Sequence, residues 1–293
     1  MKVIISIVNF NTVKLTKNCL KSIFSGKNKN DLEVWVVDNA SSDDSVEKFK
    51  KNFPNVKLVV NSSNVGFGAG HNIVFKKTSA NYFLVLNSDC EVSEGAIDGM
   101  VSFMELHQDF GIASPKVTGF DGKLQPNAGD LPGAGALLGW LFNLESLGFQ
   151  RSLHRNENAY YEEVKEVGWV SGNFMMIREE VFKKIGYFDE DYFMYFEDTD
   201  LCSRAKKAGF KIMLNPKVSI KHLSGGSLDE PSLRQWSGEY KGLYLYYHKH
   251  YGAVVALFVR LLMYLSIVLR IIAFGLTGKV KISQTYGKVI FKV

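Results

Sequence analysis

Twelve consecutive residues, Asp189 to Asp200, hold six carboxylates and four aromatic rings in the order Asp-Glu-Asp-Tyr-Phe-Met-Tyr-Phe-Glu-Asp-Thr-Asp. An ordinary surface would shed the rings and an ordinary core would reject the acids. Rings can pin such a loop while its carboxylates face something polar, and a carboxylate held that way can take a proton from a hydroxyl. The competing reading is that Asp198 only caps the helix that follows, where Leu201, Ala205 and Ala208 form one stripe and Gly209 ends it.

Three other clusters could share in that chemistry. In Leu84-Val85-Leu86-Asn87-Ser88-Asp89-Cys90-Glu91, the acids Asp89 and Glu91 lie two apart on an extended segment and so point to one side. A Mg²⁺ or Mn²⁺ ion bound to a diphosphate needs only one or two such carboxylates, although acids after strands also make plain solvated turns. In Val36-Val37-Asp38-Asn39-Ala40-Ser41-Ser42-Asp43 an acid directly follows a buried run. It can accept hydrogen bonds from a nucleobase or ribose, or the segment can be a turn capped by Ser42 and Asp43. His222, in Lys221-His222-Leu223-Ser224-Gly225-Gly226, is either structural or a ligand that closes over a bound metal nucleotide beside a mobile glycine pair.

Positioning these clusters takes a sheet. Apolar runs at Val3 to Val8, Val34 to Val37, Val56 to Val60 and Tyr82 to Leu86 alternate with helical patterns, the first with Leu15, Cys19, Ser22 and Ile23 at helical spacing. This is the pattern of βα units, in which functional loops lie at the carboxyl ends of strands. A second block is predicted from Val164, with a strand through Gly168 to Ile177, a helix near Glu179 to Lys184 and a strand at Lys217 to Ile220. Residues 119–163 show no sustained periodicity and read as a long irregular excursion over the site.

The chain has 293 residues, 46 % apolar and 22 % charged, enough for one large α/β domain with an appendage and far from a disordered composition. Its net charge of +5 hides an asymmetry. Residues 231–293 carry nine Lys or Arg against one acid, Glu239, whereas the first 230 residues carry 26 basic and 29 acidic side chains. A slightly acidic body with a basic, apolar tail points to an anionic membrane surface at the tail, and no nucleic-acid partner is expected. Three dispersed cysteines and an N-terminal apolar run too short for a signal peptide imply a reducing, cytoplasmic setting.

Taken in order, the four clusters resemble the large family of inverting glycosyltransferases with the GT-A fold, most closely its bacterial rhamnosyltransferase branch, over about residues 1–230. The resemblance implies a Rossmann-like mixed sheet flanked by helices, with a nucleotide half over about 1–118 and an acceptor half over about 164–230. It implies donor contacts from Asn9, Asp38, Asn39, Asn87 and Asp89, and from Asn64, Gly66 and Asn72 in the glycine-rich stretch. It further implies acceptor contacts from Trp169, Gly172 and Glu197, a catalytic base at Asp198, and Mn²⁺ or Mg²⁺ held by Asp89, Glu91 and His222. Asn87 stands where the family's DxD motif has its first acid. The implied donor is a nucleotide diphosphate sugar: dTDP-rhamnose by branch, a UDP-hexose or galactofuranose donor by the wider family. The implied acceptor is a lipid-linked saccharide. A nucleotidyltransferase or an inactive binding protein remain the readings from other classes.

The tail 231–293 is expected to associate with membrane. Ala253 to Leu276 is apolar except for Arg260, Ser266, Arg270 and Gly275. Two arginines ten residues apart share a side of a helix, which favours an in-plane helix with both arginines at the headgroups over a spanning one. A buried helix or a dimer interface is the other possibility.

Overall fold

Val3, Ile4, Ile5 and Ile7 have no accessible surface, as a run covered on both faces requires. They form β1 (Lys2–Asn9), which pairs in parallel with β2 (Asp31–Asp38) on one side and β4 (Tyr82–Asn87) on the other, while β3 (Lys57–Val60) extends the sheet beyond β2. The computed structural model describes residues 1–149, 151–223 and 232–293. The glycine pair Gly225–Gly226 lies outside the described residues. Beyond β4 the sheet turns mixed: β10 (Phe174–Arg178) runs antiparallel to both β4 and β6 (Phe110–Thr118), and β11 (Lys211–His222) is parallel to β6. Two short strands, β5 (Cys90–Glu91) and β8 (Lys165–Glu166), pair with β11.

Alternation along β1 divides the core. Val3, Ile5 and Ile7 pack with Cys19 and Leu20 of α1 (Val13–Ser25) and Met100 of α4 (Ala96–Glu105), and Ile4 packs on the opposite face with Val74 and Phe75 of α3 (Phe67–Phe75). The expected α/β architecture, a mixed sheet flanked by helices, is therefore present. Register fixes the functional edge. Asn9 lies opposite Asp38, and Val8 opposite Asn87, so three strands end at one level. Because β10 runs the other way, its amino end, next to Gly172 and Asn173, reaches that same edge.

Three expectations change. The strand expected over Gly168 to Ile177 is broken: Trp169–Val170 (β9) pairs with Ala128–Gly129 (β7) in a separate two-stranded sheet, and only Phe174 onward joins the main sheet. At Gly168 a Cβ would lie 2.3 Å from the Leu131 amide nitrogen, so this crossing needs glycine. The strand seen at Lys217 to Ile220 is the end of a longer one. The excursion 119–163 contains α5 (Ala134–Phe142), which is apolar on all sides and so shows no period.

By internal packing the chain forms two units. One comprises Met1–Leu131, His154–Phe193 and the described residues of 198–224, and the other Pro132–Leu153, Met194–Glu197 and the described residues of 225–293. The second draws α5 together with α8 (Leu233–Tyr251), α9 (Ala253–Leu276) and α10 (Val280–Val289), around Tyr240, Leu243, Met263, Ile267 and Tyr286. Ser232 caps α8 by accepting from Gln235 N at 3.1 Å.

The arginines of α9 correct the expectation of headgroup contact. Arg270 donates to the carbonyls of Trp140 and Leu141, at 2.8 and 3.1 Å, capping the last turn of α5, and to Tyr286 Oη at 2.8 Å. Arg260 donates to Val293 O at 2.8 Å. Orphan carbonyls of α5 engage the Arg270 guanidinium, and Arg260 also bonds within the helical unit, so the opposite side of α9 is left without charge.

A strained turn also belongs to this unit. Tyr195 and Phe196 have φ of 73° and 71°, a left-handed conformation that bulky residues hold only when packing dictates it. The packing is visible in α8. A Cβ on Gly238 would lie 2.4 Å from Tyr195 Cδ2, and one on Gly242 2.8 Å from Tyr195 O.

Candidate active site

At the ends of β1 and β2 the polar side chains form a closed network. Asn9 Nδ2 donates to Asp38 Oδ2 at 2.7 Å and to Ser41 Oγ at 3.0 Å, while Asn9 Oδ1 accepts from Thr12 and Thr16 hydroxyls at 2.9 and 2.7 Å. The other Asp38 oxygen accepts from Ser41 N at 2.8 Å. Asn9 and Asp38 have no accessible surface, so in this conformation they shape the loop and do not face the crevice. Their expected role as direct donor contacts would require this network to open.

Asn39 is buried too. Its Nδ2 donates to Gly66 O at 2.9 Å and to Asn64 Oδ1 at 3.2 Å, and Asn64 Oδ1 accepts from Gly66 N at 3.0 Å. Gly66, at φ 93°, must be glycine because a Cβ would sit 2.4 Å from Phe193 O, the carbonyl that accepts from Phe67 N. Asn72 is also buried and clamps Phe188, donating to its carbonyl at 2.8 Å and accepting from its amide at 3.1 Å, while also donating to Glu190. The glycine-rich stretch thus docks the acid-aromatic loop. Of that loop's other acids, Asp200 pairs with Arg204 at 2.7 Å, and Glu190 with Lys76 at 2.7 Å.

Asp89 and His222 meet where β4 and β11 end, with Asp89 Oδ1 3.0 Å from His222 Nε2 and Asn87 Nδ2 3.2 Å from the same nitrogen. A residue not foreseen from sequence orders this pair. Gln125 Nε2 donates to His222 O at 3.0 Å, which fixes its amide and leaves Oε1 to accept from His222 Nδ1 at 2.9 Å. Nδ1 therefore carries the proton, and Nε2 offers a lone pair beside a carboxylate oxygen. A ring nitrogen anchored by an acceptor is how ligating histidines are held, and it leaves Nε2 facing Asp89 and Asn87. The donor set fits a divalent cation. No pattern around Gln125 marks it, since its partner lies 97 positions away.

Among the described residues, the group with ligand atoms close enough for a metal is Asp89, Cys90 and His222. Cys90 does not suit the role. Burial drives its thiol well above the usual range, and Sγ donates to Asn173 O at 3.3 Å. Glu91, an expected ligand, is not in the group. It lies on β5 opposite Lys221.

Asp198 sits in the first turn of α7 (Glu197–Lys207), half-buried. Its Oδ2 accepts from Gly172 N at 3.2 Å and its Oδ1 from Thr199 N at 2.7 Å. Burial raises its pKa above the usual carboxylate range, opposed by those amide bonds and by the nearby His154. A Cβ at Gly172 would meet the Phe67 ring at 2.7 Å, so any larger residue there must displace that ring. The neighbouring Asn173 O accepts from Asn87 N at 3.0 Å, so one short segment carries the carboxylate on one side and the Asn87 strand end on the other. Trp169 and Glu197, expected at the acceptor, are both buried, Trp169 edge-on to His154 with ring centres 5.2 Å apart.

The profile of glycosyl transferase family 2 matches residues 4–186, more than half of the chain and most of the sheet just described. The chain belongs to glycosyl transferase family 2. Among relatives of this family-2 chain, an N-acetylglucosaminyl-diphospho-decaprenol L-rhamnosyltransferase of Mycobacterium tuberculosis is 27 % identical over 233 residues, covering 73 % of this chain and 74 % of that protein. The low-salt glycan biosynthesis hexosyltransferase Agl10 of Haloferax volcanii is 30 % identical over 71 % of this chain and 62 % of its own length. The mannosyltransferase PcManGT of Pyrobaculum calidifontis, solved with GDP-Man and Mn²⁺, aligns over 99 % of this chain and 86 % of its own with a TM-score of 0.63 at 13 % identity. This family-2 chain thus has the GT-A fold and is a nucleotide-sugar glycosyltransferase.

Proposed function

We propose that this enzyme transfers L-rhamnose from dTDP-rhamnose, with inversion, to a lipid-linked saccharide in the assembly of a cell-surface polysaccharide. The observation that carries the reading is the segment Gly172–Asn173, whose amide holds the Asp198 carboxylate and whose carbonyl holds the Asn87 strand end beside Asp89 and His222. In a single displacement Asp198 takes the proton of the acceptor hydroxyl. Asp89 and His222 would hold a divalent cation, Mn²⁺ by preference because the set mixes imidazole with carboxylate; when bound, it stabilises the leaving diphosphate. The relatives named for rhamnosyl transfer to a diphospho-lipid sugar support the donor and acceptor classes.

The test offers dTDP-rhamnose, UDP-hexoses and UDP-galactofuranose with Mn²⁺ and a polyprenyl-diphosphate N-acetylglucosamine acceptor. Acceptor-dependent release of dTDP and a rhamnosylated lipid are expected. Release from a UDP donor instead would replace rhamnose, and no release from any donor would overturn the reading.

The helical unit supports attachment to a cytoplasmic anionic membrane face. Leu257, Phe258, Leu261, Leu265 and Ile272 of α9 are all at least half exposed, on the side opposite its buried Ala256, Val259, Met263 and Ile267, and Lys279, Lys281, Lys288 and Lys292 are exposed just beyond. Such a face, flanked by cations that each add about 1 kcal/mol near anionic lipid, binds in the interface plane. Leu261→Glu with Leu265→Glu should release the protein from anionic vesicles without lowering its Tm. Unchanged vesicle binding, or loss of a dimer in place of vesicle binding, would remove the membrane role.

A further inference from the structure

Helix α1 carries a second cluster of charge that the crevice does not use. Thr16, Cys19, Leu20 and Ile23 turn inward, which places Lys14, Lys17, Asn18 and Lys21 together on the outer face. With Val13 and with Lys48 of α2 (Ser45–Asn52) they line a cleft of about 350 Å³.

The placement works against the helix. No acid occupies the first turn of α1 itself; Asp43, from the loop before α2, accepts from Val13 N at 3.2 Å and is the carboxylate that meets the positive end of the macrodipole. Lys14 and Lys17, and Lys17 and Lys21, are like-charged neighbours at three and four residues, a destabilising arrangement. Other lysines, Lys57, Lys76, Lys183, Lys206 and Lys211, each sit on a carboxylate. Among the described residues no ion pair is formed by Lys14, Lys17 or Lys21, and only Lys48 has one, to Asp44. A local rule broken this consistently marks a functional surface. From Lys14 to Lys21 the helix rises roughly 10 Å, too far for a single small anion to bridge.

We propose that this cleft binds clustered phosphate groups, a diphosphate or adjacent phosphate headgroups, as a site separate from the donor crevice. Lysine ammonium groups serve it as point charges that tolerate either geometry. The two sources share one chemistry.

Lysine acetylation of the full chain, followed residue by residue by mass spectrometry in chelator, tests it. Inorganic pyrophosphate forms one arm, and phosphatidylglycerol or phosphatidylcholine vesicles form the others. Acetylation of Lys14, Lys17 and Lys21 is expected to slow about threefold or more relative to the exposed Lys29 and Lys77, with the effect fading as salt rises. Protection by pyrophosphate identifies a soluble polyphosphate site, protection by phosphatidylglycerol alone a headgroup site. In the triple variant Lys14→Gln, Lys17→Gln, Lys21→Gln, Lys48 should lose its protection while the thermal shift by Mn²⁺ and nucleotide stays intact. Equal acetylation with and without both phosphate arms, or protection no greater than at Lys29 and Lys77, would overturn the proposal, whatever the donor proves to be.

Discussion

Asp198→Asn is expected to lower turnover by roughly 10²- to 10⁴-fold while leaving donor binding nearly unchanged. The amide keeps the shape of the side chain and can still accept from one of the two amides, Gly172 N or Thr199 N, but it cannot take the acceptor's proton. The raised pKa adds a pH signature. Burial disfavours the charged form, so the wild-type acid limb should lie above the ordinary carboxylate range, with activity lost as pH falls through the folded-state value. The sign for stability is opposite to that of a salt-bridged acid. A group whose folded pKa is raised binds more protons folded than unfolded, so stability declines as pH rises from the unfolded value through the folded one. Asn carries no ionisation to suppress, which offsets the loss of one of the two amide hydrogen bonds, and the folded fraction of the variant is checked by its Tm. A folded Asp198→Asn enzyme with near wild-type turnover would sink the assignment of the base.

Chelation is expected to abolish transfer, with Mn²⁺ restoring it, and Asp89→Ala or His222→Ala should each weaken Mn²⁺ binding, read directly by electron paramagnetic resonance in the absence of sugar transfer. Gln125→Leu is the more discriminating variant. It leaves both ligands in place and removes only the amide that sets the tautomer of His222, for which a loss of roughly 10- to 100-fold in metal affinity is the usual scale. Glu91→Gln should change little, because Glu91 is not among the gathered ligand atoms. Full activity in chelator would leave Asp89 and His222 as an Asp–His hydrogen bond with a structural purpose.

The residues that act through local chemistry were legible in the sequence, and those that act through register were not. Asp89, Asp198 and His222 each follow or adjoin an apolar run, so an acid or imidazole at a strand end could be picked out singly. Gln125 could not, because its value depends on β11 lying beside β6, which brings His222 within reach of the residues after Thr118. Asp38, Asn9 and Asn72 show the reverse. The resemblance implied that they contact the donor, and their burial makes them a hydrogen-bonding frame at the strand ends, which no sequence pattern shows. Polarity at a strand end identifies the neighbourhood of a site, and only packing tells a frame from a contact. The sheet itself followed from apolar runs, whereas α5 escaped notice because a helix apolar on every side has no face to detect.

The strained turn at Tyr195–Phe196 has a consequence for the order in which the enzyme comes into being. The strand ends and Asp89, Asp198 and His222 all precede α8 in the chain, so the ribosome releases them before it. Yet the turn that delivers the chain to Asp198 finds its seat only against Gly238 and Gly242. A nascent chain stalled after β11 would own every catalytic group and still lack the wedge that holds two aromatic residues left-handed. The turn is therefore expected to settle late in translation, together with the helices that carry the lysine-flanked apolar face.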